Sequence, residues 1–162
     1  MHHTHNADGL AGALLDLVGI LNSPRYDDIL LREAGVAIDR ALFPLLVCIG
    51  AAGSVSVVEL AEQVGRDHST VSRQTAKLET LGLVTRQKGQ RDQRVREAAL
   101  TTDGRRAVKA ITAARRRLFG KLLADWSEAD REALARLNRK LADAMRKGRE
   151  SLEGGRGGVA VG

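Results

Sequence analysis

The chain has 162 residues and a mass of 17.4 kDa, which suits one domain with a few added helices. Hydrophobic residues make up 43% of it but aromatic residues only 2%, so we expect a core of aliphatic side chains, as in packed helices. A single cysteine excludes an intrachain disulfide, and no apolar run reaches the ~20 residues of a membrane-spanning helix. Because the first ten residues also lack the pattern of a secretion signal, we expect a cytoplasmic protein.

Positive charge is concentrated in the middle of the chain. The net charge is +6, with a pI near 10.1. Residues 1–65 carry three Lys or Arg against eight Asp or Glu, whereas residues 66–106 carry ten against five and residues 107–127 five against one. The total alone would suit a nucleic acid, a membrane surface or an acidic protein, but this distribution is typical of a nucleic-acid-binding surface.

The N-terminal part of the chain predicts two helices after a flexible segment of residues 1–7. The first helix has leucines at helical spacing, and Asn22-Ser23-Pro24 breaks it. A second, shorter helical stretch is predicted over residues 26–34, ending at Gly35. The apolar stripe of the first helix consists of Leu10, Leu14, Leu17 and Leu21.

The next helix is apolar nearly all round, so we expect it to be buried. Asp39 can cap it, and Pro44 is best tolerated in or near its first turn. Gly50 and Gly53 are predicted to end it.

Two short helices with a glycine turn between them follow. Ser56 and Glu59 form a capping box, which predicts a helix to Val64. Asp67 can cap a further helix that runs to Leu81, with Gly82 at its C-terminal end. Such a pair of helices is typical of a helix-turn-helix.

The outer face of the second helix is polar and basic. With Val71, Leu78 and Leu81 turned inward, small hydroxyls lie at the N-terminal end and longer basic side chains follow. Small hydroxyls allow close approach to phosphates, and Arg or Gln can contact base edges, so this face favours DNA binding. The alternative is an ordinary solvated face, but Glu79 is the only acid after the cap. The candidate DNA-binding residues are His68, Ser69, Thr70, Ser72, Arg73, Gln74 and Lys77.

A basic hairpin is predicted directly after this helix. Residues 83–87 and 94–100 are strand-like, and Gly89 lies in the turn between them. Its basic residues could follow the DNA backbone or enter a narrow minor groove, with Asp92 placed to orient Arg94. The alternative is a surface hairpin whose charges serve solubility and edge protection. The candidate DNA-binding residues here are Arg86, Lys88, Arg91, Arg94 and Arg96.

Two helices complete the chain. Thr101 or Thr102 can cap a long one that reaches Leu122, and Ser127 with Asp130 forms a capping box for the last. Residues 149–162 are glycine-rich and predicted to be flexible. The apolar stripe of the last helix consists of Leu134, Leu137, Leu141 and Met145.

Three segments together resemble the MarR family of bacterial transcriptional regulators. They read "DRALFPLLVCIG", "SVVELAEQVGRDHSTVSRQTAKLETLGLVTRQ" and "RDQRVREAALTTDGRR". The family pattern has the same residues at several positions of the predicted hairpin, which is called the wing in this family. They are Asp92 and Arg94 within the wing, Leu100-Thr101 at its end and Gly104 just after it. The resemblance is close over residues 36–106. The family often has two arginines after the wing aspartate, and here Gln93 replaces the first.

The resemblance implies a mostly α fold with a small β-hairpin wing, that is, a winged helix-turn-helix with N- and C-terminal dimerisation helices. Residues 35–106 would form the DNA-binding lobe, and residues 8–34 and 107–148 the helices that interleave in a homodimer. The apolar stripes agree, because a thin winged-helix domain cannot bury them alone. Packing within one chain, against the helix over residues 107–123, is the alternative.

The resemblance further implies a repressor or activator that binds a pseudo-palindromic double-stranded DNA operator and responds to a small-molecule effector. Tyr26, Arg32 and Trp126 are candidate pocket residues, since a phenolic or carboxylate ligand would need a ring and a cation. The rival class is a winged-helix module that binds an acidic protein partner. We expect no enzyme, because the chain has no catalytic carboxylate pair and no glycine-rich phosphate loop.

Two further residue types could suggest sensing. Cys48 could be the peroxide sensor of some family members, but its apolar helix predicts an inert buried thiol. His2, His3 and His5 lie in the predicted flexible segment, and no Cys/His spacing of metal-binding type is present. We therefore expect no metal and no cofactor.

Overall fold

The computed structural model describes residues 2–89 and 91–154. Over these residues the chain forms seven helices and a three-stranded antiparallel sheet, which confirms the predicted fold class. The chain divides into two compact units, one up to Leu118 and the other from Phe119 onward. In chain order the elements are α1 (His2–Leu21), α2 (Pro24–Ala34), α3 (Phe43–Ala52), β1 (Ser54–Ser56), α4 (Val57–Val64), α5 (His68–Thr80), β2 (Val84–Lys88), β3 (Arg96–Leu100), α6 (Thr102–Leu122) and α7 (Glu128–Gly154).

The two N-terminal helices meet at the predicted break. Ser23 caps α2 by accepting a hydrogen bond from the Tyr26 backbone N–H at 3.2 Å, and Pro24 occupies the first turn. Gly35 ends α2 in the left-handed conformation. Helix α1 begins at His2, within the segment of residues 1–7 that the sequence predicts to be flexible.

The start of α3 differs from the prediction. Asp39 does not cap the helix, because α3 begins at Phe43 with Pro44 in its first turn. Instead, the Asp39 carboxylate accepts a hydrogen bond from the Ala41 backbone N–H at 2.8 Å and closes the turn before the helix. Gly53 caps the C-terminus of α3 as predicted, whereas Gly50 lies inside the helix, where a Cβ would come within 3.1 Å of Leu100.

The helix-turn-helix, α4 and α5, begins as predicted at both helices. The Ser56 and Glu59 capping box is present with both of its hydrogen bonds, and Asp67 caps α5. Leu81 does not face inward as predicted, for it follows the last turn of α5 and is 47% exposed. Thr75 takes the inner position between Val71 and Leu78, and its hydroxyl donates to the Val71 carbonyl at 2.7 Å. This bond lets a polar side chain lie in an apolar core without an unsatisfied donor.

The wing is part of a sheet with strand order β1-β3-β2. The hairpin β2–β3 was predicted, but β1 was not, because three residues with two serines carry no readable strand pattern. β1 pairs with the base of β3, where Val55 lies opposite Ala98. The wing is therefore anchored to the segment that leads into the helix-turn-helix.

The close approach of α6 to β2 requires glycine at one position. Thr101 caps α6 by accepting from the Gly104 backbone N–H at 3.0 Å, and its hydroxyl donates to the Gly82 carbonyl at 2.6 Å. A Cβ at Gly104 would collide with the Leu83 carbonyl oxygen. The glycine of the sequence motif is therefore explained by packing at the base of the wing.

The core of the first unit packs against the inner faces of α4, α5 and the sheet, and so fixes where these elements lie. Arg117 of α6 also joins α2, since its Nη2 donates to the Glu33 carbonyl at 2.8 Å and its Nε lies 3.0 Å from the Glu33 carboxylate. The largest fully buried side chains are Leu30, Leu42, Leu45, Leu46, Ile49, Leu60, Val71, Thr75, Leu78, Val84 and Ile111.

The second unit contains the last helix. Ser127 accepts from the Asp130 backbone N–H at 3.1 Å, so the predicted cap is present. α7 extends to Gly154, beyond the predicted end at residue 148. The remainder of the predicted flexible tail, residues 155–162, lies outside the described residues.

Candidate nucleic-acid interface

Helix α5 presents the polar face that the sequence predicts. His68, Ser69, Arg73 and Lys77 are exposed. The side chains of Thr70, Ser72 and Gln74 are half-buried at the edges of this face. The burial of Val71, Thr75 and Leu78 in the core holds the helix in this orientation.

The N-terminus of α5 is organised around Asp67. Its carboxylate accepts from the Ser69 hydroxyl at 2.6 Å and from the Thr70 backbone N–H at 2.8 Å. These bonds hold the pKa of Asp67 well below its usual range, so the group stays ionised. The ionised cap offsets part of the attraction of the helix N-terminus for phosphate. Among α5 side chains, the basic residues farther along the helix are therefore the stronger anion contacts.

Arg73 and Gln74 are adjacent in sequence but differ in their freedom. Arg73 has one weak contact, a 3.4 Å bond from its Nη2 to the Thr70 hydroxyl, and it is exposed. The Gln74 side chain is held by a hydrogen bond, because Nη1 of Arg66 donates to its Oε1 at 2.9 Å. Arg66 was not singled out from the sequence. Nothing in the eight-residue spacing predicts this contact.

Arg86 is not a free cation of the wing. Its Nε lies 3.2 Å from Glu79 Oε2 on α5 and is shielded from solvent without an aligned hydrogen-bond acceptor among the described residues. The pair joins β2 to α5. It also neutralises the only acid that follows the cap in α5. Arg86 therefore holds β2 against α5 and does not extend from the hairpin as a free charge.

The wing loop places most of its basic side chains in solvent. Lys88, Arg91, Arg94 and Arg96 are exposed, with Arg94 in the turn that precedes β3 and not in the strand itself. Lys88 and Arg96 lie opposite each other where the two strands end, and Arg91 and Arg94 lie in the loop between them. This arrangement can reach a phosphate backbone or a groove.

Asp92 orients the wing in a way that differs from the prediction. Its carboxylate accepts from the backbone N–H of Arg94 at 2.9 Å, and its carbonyl accepts from Val95 N–H at 3.1 Å. It therefore shapes the turn and does not pair with the Arg94 guanidinium. Gly89 is required beside it, since a Cβ there would lie 2.6 Å from the Asp92 carbonyl oxygen.

Arg91 lies beside acidic residues at the base of the wing. Together with Glu59 and Glu97 it lines a surface recess between α4 and the sheet. The pKa of Glu59 is lowered, mainly by hydrogen bonds from the Ser56 backbone and hydroxyl and further by the charge of Arg91. Arg91 thus lies near two carboxylates of its own protein, whereas Arg94 has no such neighbour among the described side chains.

The predicted dimerisation stripes are largely uncovered in the single chain. On α1, Leu14 is half-buried and its three partners in the stripe are exposed; Leu15, Val18 and Ile20 add further exposed apolar surface. On α7, Leu137 and Met145 are exposed, whereas Leu134 and Leu141 are half-buried. The exposed members of the two predicted stripes are Leu10, Leu17, Leu21, Leu137 and Met145.

The candidate effector residues belong to different units. Tyr26 packs half-buried against the core of the first unit, and Arg32 is exposed on the same helix. Trp126 lies in the second unit, 46% exposed, and lines a surface recess with Asp130 and Leu134. Tyr26 and Arg32 therefore remain candidate effector residues of the first unit, and Trp126 remains one of the second.

The remaining reactive groups offer little chemistry. Cys48 is half-buried, and burial raises the pKa of its thiol, which disfavours the reactive thiolate. Within the part of the chain that is described, no group of three or more His, Cys, Asp or Glu is placed to hold a metal ion. The side chains of His2, His3 and His5 lie outside that part. None of the described helices is both long and apolar enough to cross a membrane.

The fold and this surface define a winged helix-turn-helix protein. A sequence model of the MarR family matches residues 38–95. The uncharacterised HTH-type transcriptional regulator YxaD of Bacillus subtilis (strain 168) is 32% identical over 108 residues, 67% of this chain and 76% of YxaD. A second one from the same strain, YdgJ, is 28% identical over 102 residues, 63% of this chain and 62% of YdgJ. The chain belongs to the MarR family of transcriptional regulators.

The solved structures agree on the fold. The structure of a MarR family protein from Bacillus stearothermophilus superposes with a TM-score of 0.76 at 22% identity, covering 89% of this chain and 98% of that one. At this identity the likeness shows the fold alone. The matched fold includes the helices on both sides of the region that the family model covers.

Proposed function

We propose that the protein is a homodimeric repressor that binds a pseudo-palindromic DNA operator. The observation that carries this is the outer face of α5, where Arg73 and Lys77 are exposed and the one later acid, Glu79, is paired with Arg86. The face therefore carries uncompensated positive charge. Small hydroxyls at its N-terminal edge permit close approach to a phosphate. A helix of this kind suits the major groove.

The wing would contact the DNA beside the major groove. Arg94 is exposed in a turn that Asp92 and Gly89 shape, so its backbone is held in place while its guanidinium is free to reach DNA. Because Gln93 stands where the family often has an arginine, Arg94 would act alone in a narrow minor groove.

A second copy of the chain would cover the apolar stripes of α1 and α7. A two-fold dimer repeats α5, the proposed recognition helix. The two half-sites of the operator should therefore lie about one helical turn of DNA apart. Release by a small-molecule effector, with Tyr26, Arg32 or Trp126 among the contacts, completes the proposal, and the protein would act in the cytoplasm.

The rival function is a winged-helix module that binds an acidic protein. Such a surface is expected to present aromatic or leucine anchors at its centre. Along its length, His68–Thr80, α5 exposes no Leu, Phe, Tyr or Trp side chain. The basic wing alone would suit either function.

The test is fluorescence anisotropy of the full chain on the DNA upstream of its own gene, with scrambled DNA as the competitor. Arg73→Ala removes an exposed guanidinium from the centre of α5, and a lost bidentate base contact weakens specific binding about 5- to 150-fold per half-site. Arg139→Ala, an exposed arginine on α7, is the matched control and should bind as the wild type does. If Arg73→Ala and Arg139→Ala bind equally well, α5 is not the recognition helix. Equal affinity of the wild type for both DNAs would favour the protein-binding module.

A further inference from the structure

We propose that Arg66 determines base specificity by fixing Gln74 as a hydrogen-bond donor toward DNA. The inference rests on the proposed DNA binding and assigns a role to a residue outside the exposed face of α5. Arg66 lies in the turn between α4 and α5, next to Gly65. It would not read a base itself; it would set how its neighbour reads one.

The geometry is a single nitrogen that bridges two carbonyl oxygens. Nη1 of Arg66 donates to the Ala41 backbone carbonyl at 2.7 Å and to Gln74 Oε1 at 2.9 Å. A guanidinium Nη carries two hydrogens, so both bonds can form at once. Both are partly buried, and a charged donor makes such bonds shorter and stronger than neutral ones.

The anchor at Ala41 holds the arginine in place. Ala41 lies in the turn before α3 that the Asp39 carboxylate closes through a 2.8 Å bond. Phe43 begins α3 directly after this turn, and its side chain is buried in the core. The bridge therefore connects a rigid turn to the recognition helix.

This bond also fixes which end of the Gln74 amide faces outward. If the amide were reversed, Nε2 would point its hydrogens at the Arg66 guanidinium, which has donors only. Oε1 must therefore face Arg66, and Nε2 keeps two free hydrogens. Among the described residues, no protein group accepts a hydrogen bond from Nε2.

The consequence concerns which bases Gln74 can read. A free glutamine reads adenine with two bonds, one that Oε1 accepts from the adenine amine and one that Nε2 donates to N7. Here Oε1 is engaged, and a base amine that approached its second lone pair would also approach the positive Arg66. The Nε2 donors suit guanine, with O6 and N7, or thymine, with O4. Gln74 should therefore select guanine or thymine over adenine.

The test is selection of tight-binding duplexes from a random DNA library by the full-length protein and its variants. The base that Gln74 reads is the position where Gln74→Ala loses its preference. Arg66→Met cannot donate, so it should raise the relative affinity for adenine there about 5- to 150-fold, measured by anisotropy on duplexes that differ at that position. Arg66→Lys keeps a donor and should retain the wild-type preference.

Two further variants separate this role from a structural one. In the double variant Arg66→Met with Gln74→Ala, the shift toward adenine should vanish, because it acts through the amide. Gln74→Glu keeps an acceptor for Arg66 but loses the outward donor, so its preference should move toward cytosine, whose N4 donates. Gln74→Glu also serves if Arg66→Met fails to fold in a thermal melt.

The outcomes distinguish this inference from the proposed function. A folded Arg66→Met that keeps the wild-type preference overturns the inference, as does a shift that persists without Gln74. A Gln74→Glu protein that still prefers guanine or thymine also overturns it. If the wild type enriches no sequence at all, the proposed DNA binding is wrong, and the inference is wrong with it.

Discussion

Replacing Arg94 by alanine should reduce the salt dependence of operator binding. Arg94 is exposed in the wing turn, and Asp92 holds its backbone rather than its guanidinium. The full positive charge is therefore available to DNA. The Asp92 bond is made to the Arg94 backbone N–H, so Arg94→Ala keeps the turn and removes only the charge.

The magnitude follows from the number of wings. Each phosphate that a cation neutralises contributes about −0.9 to the slope of log K against log salt concentration. A dimer has two wings, so Arg94→Ala should flatten the slope by about 1.8. The ratio of wild-type to variant affinity should then fall about 12-fold between 50 and 200 mM salt, the ends of the range to be measured.

The assay is a series of anisotropy titrations at four or more salt concentrations between those limits. Arg91→Ala is the matched variant, and its slope should change less, because the charge of Arg91 already interacts with Glu59. An Arg94→Ala slope equal to that of the wild type would refute the reasoning. A larger change for Arg91→Ala than for Arg94→Ala would show that the assignment of the free cation is wrong.

Three other predictions follow from particular contacts. Gly104→Ala should lower the free energy of unfolding by about 1–3 kcal/mol in urea titrations, because its Cβ meets the Leu83 carbonyl. Gly120 lies on the same helix, and a Cβ there would have no atom within 4 Å, so Gly120→Ala should raise the stability. Equal effects of the two substitutions would show that the contact with Leu83 does not matter. Hydrogen bonds lower the pKa of Asp67, so the stability that its charge adds is present above about pH 4 and is lost as the pH falls. The difference in melting temperature between wild type and Asp67→Asn should therefore narrow toward about pH 2, and a constant difference would count against the charged cap. Leu137→Asp places a charge in the apolar stripe of α7, so sedimentation should show a monomer, and DNA binding should weaken. An unchanged dimer would show that the dimer interface lies elsewhere.

Sequence was sufficient for features that depend on local chemistry. Ser56, Asp67 and Ser127 cap helices because a short side-chain oxygen can reach a backbone N–H two or three residues ahead. The wing hairpin was readable for a similar reason, since Gly89 allows a tight turn between two strand-like runs. The MarR-family motif covers the same region, and the family model matches it.

Contacts between distant residues were decided only by the tertiary structure. The outward position of Leu81 depends on where α5 ends against the core, which helical periodicity does not specify. β1 exists because Val55 meets Ala98 on β3, and its own three residues do not predict a strand.

The same limit applies to the charges of the recognition surface. Arg86, Arg91 and Arg94 are alike in sequence, but one pairs with Glu79, one interacts with Glu59 and one is free. Which charge is free depends on the acids that folding brings near it, and one of them, Glu59, is more than 30 residues from Arg91 in the chain. Sequence therefore determined the family and the segments of the proposed DNA interface, whereas packing determined which of their cations and hydrogen-bond donors are free.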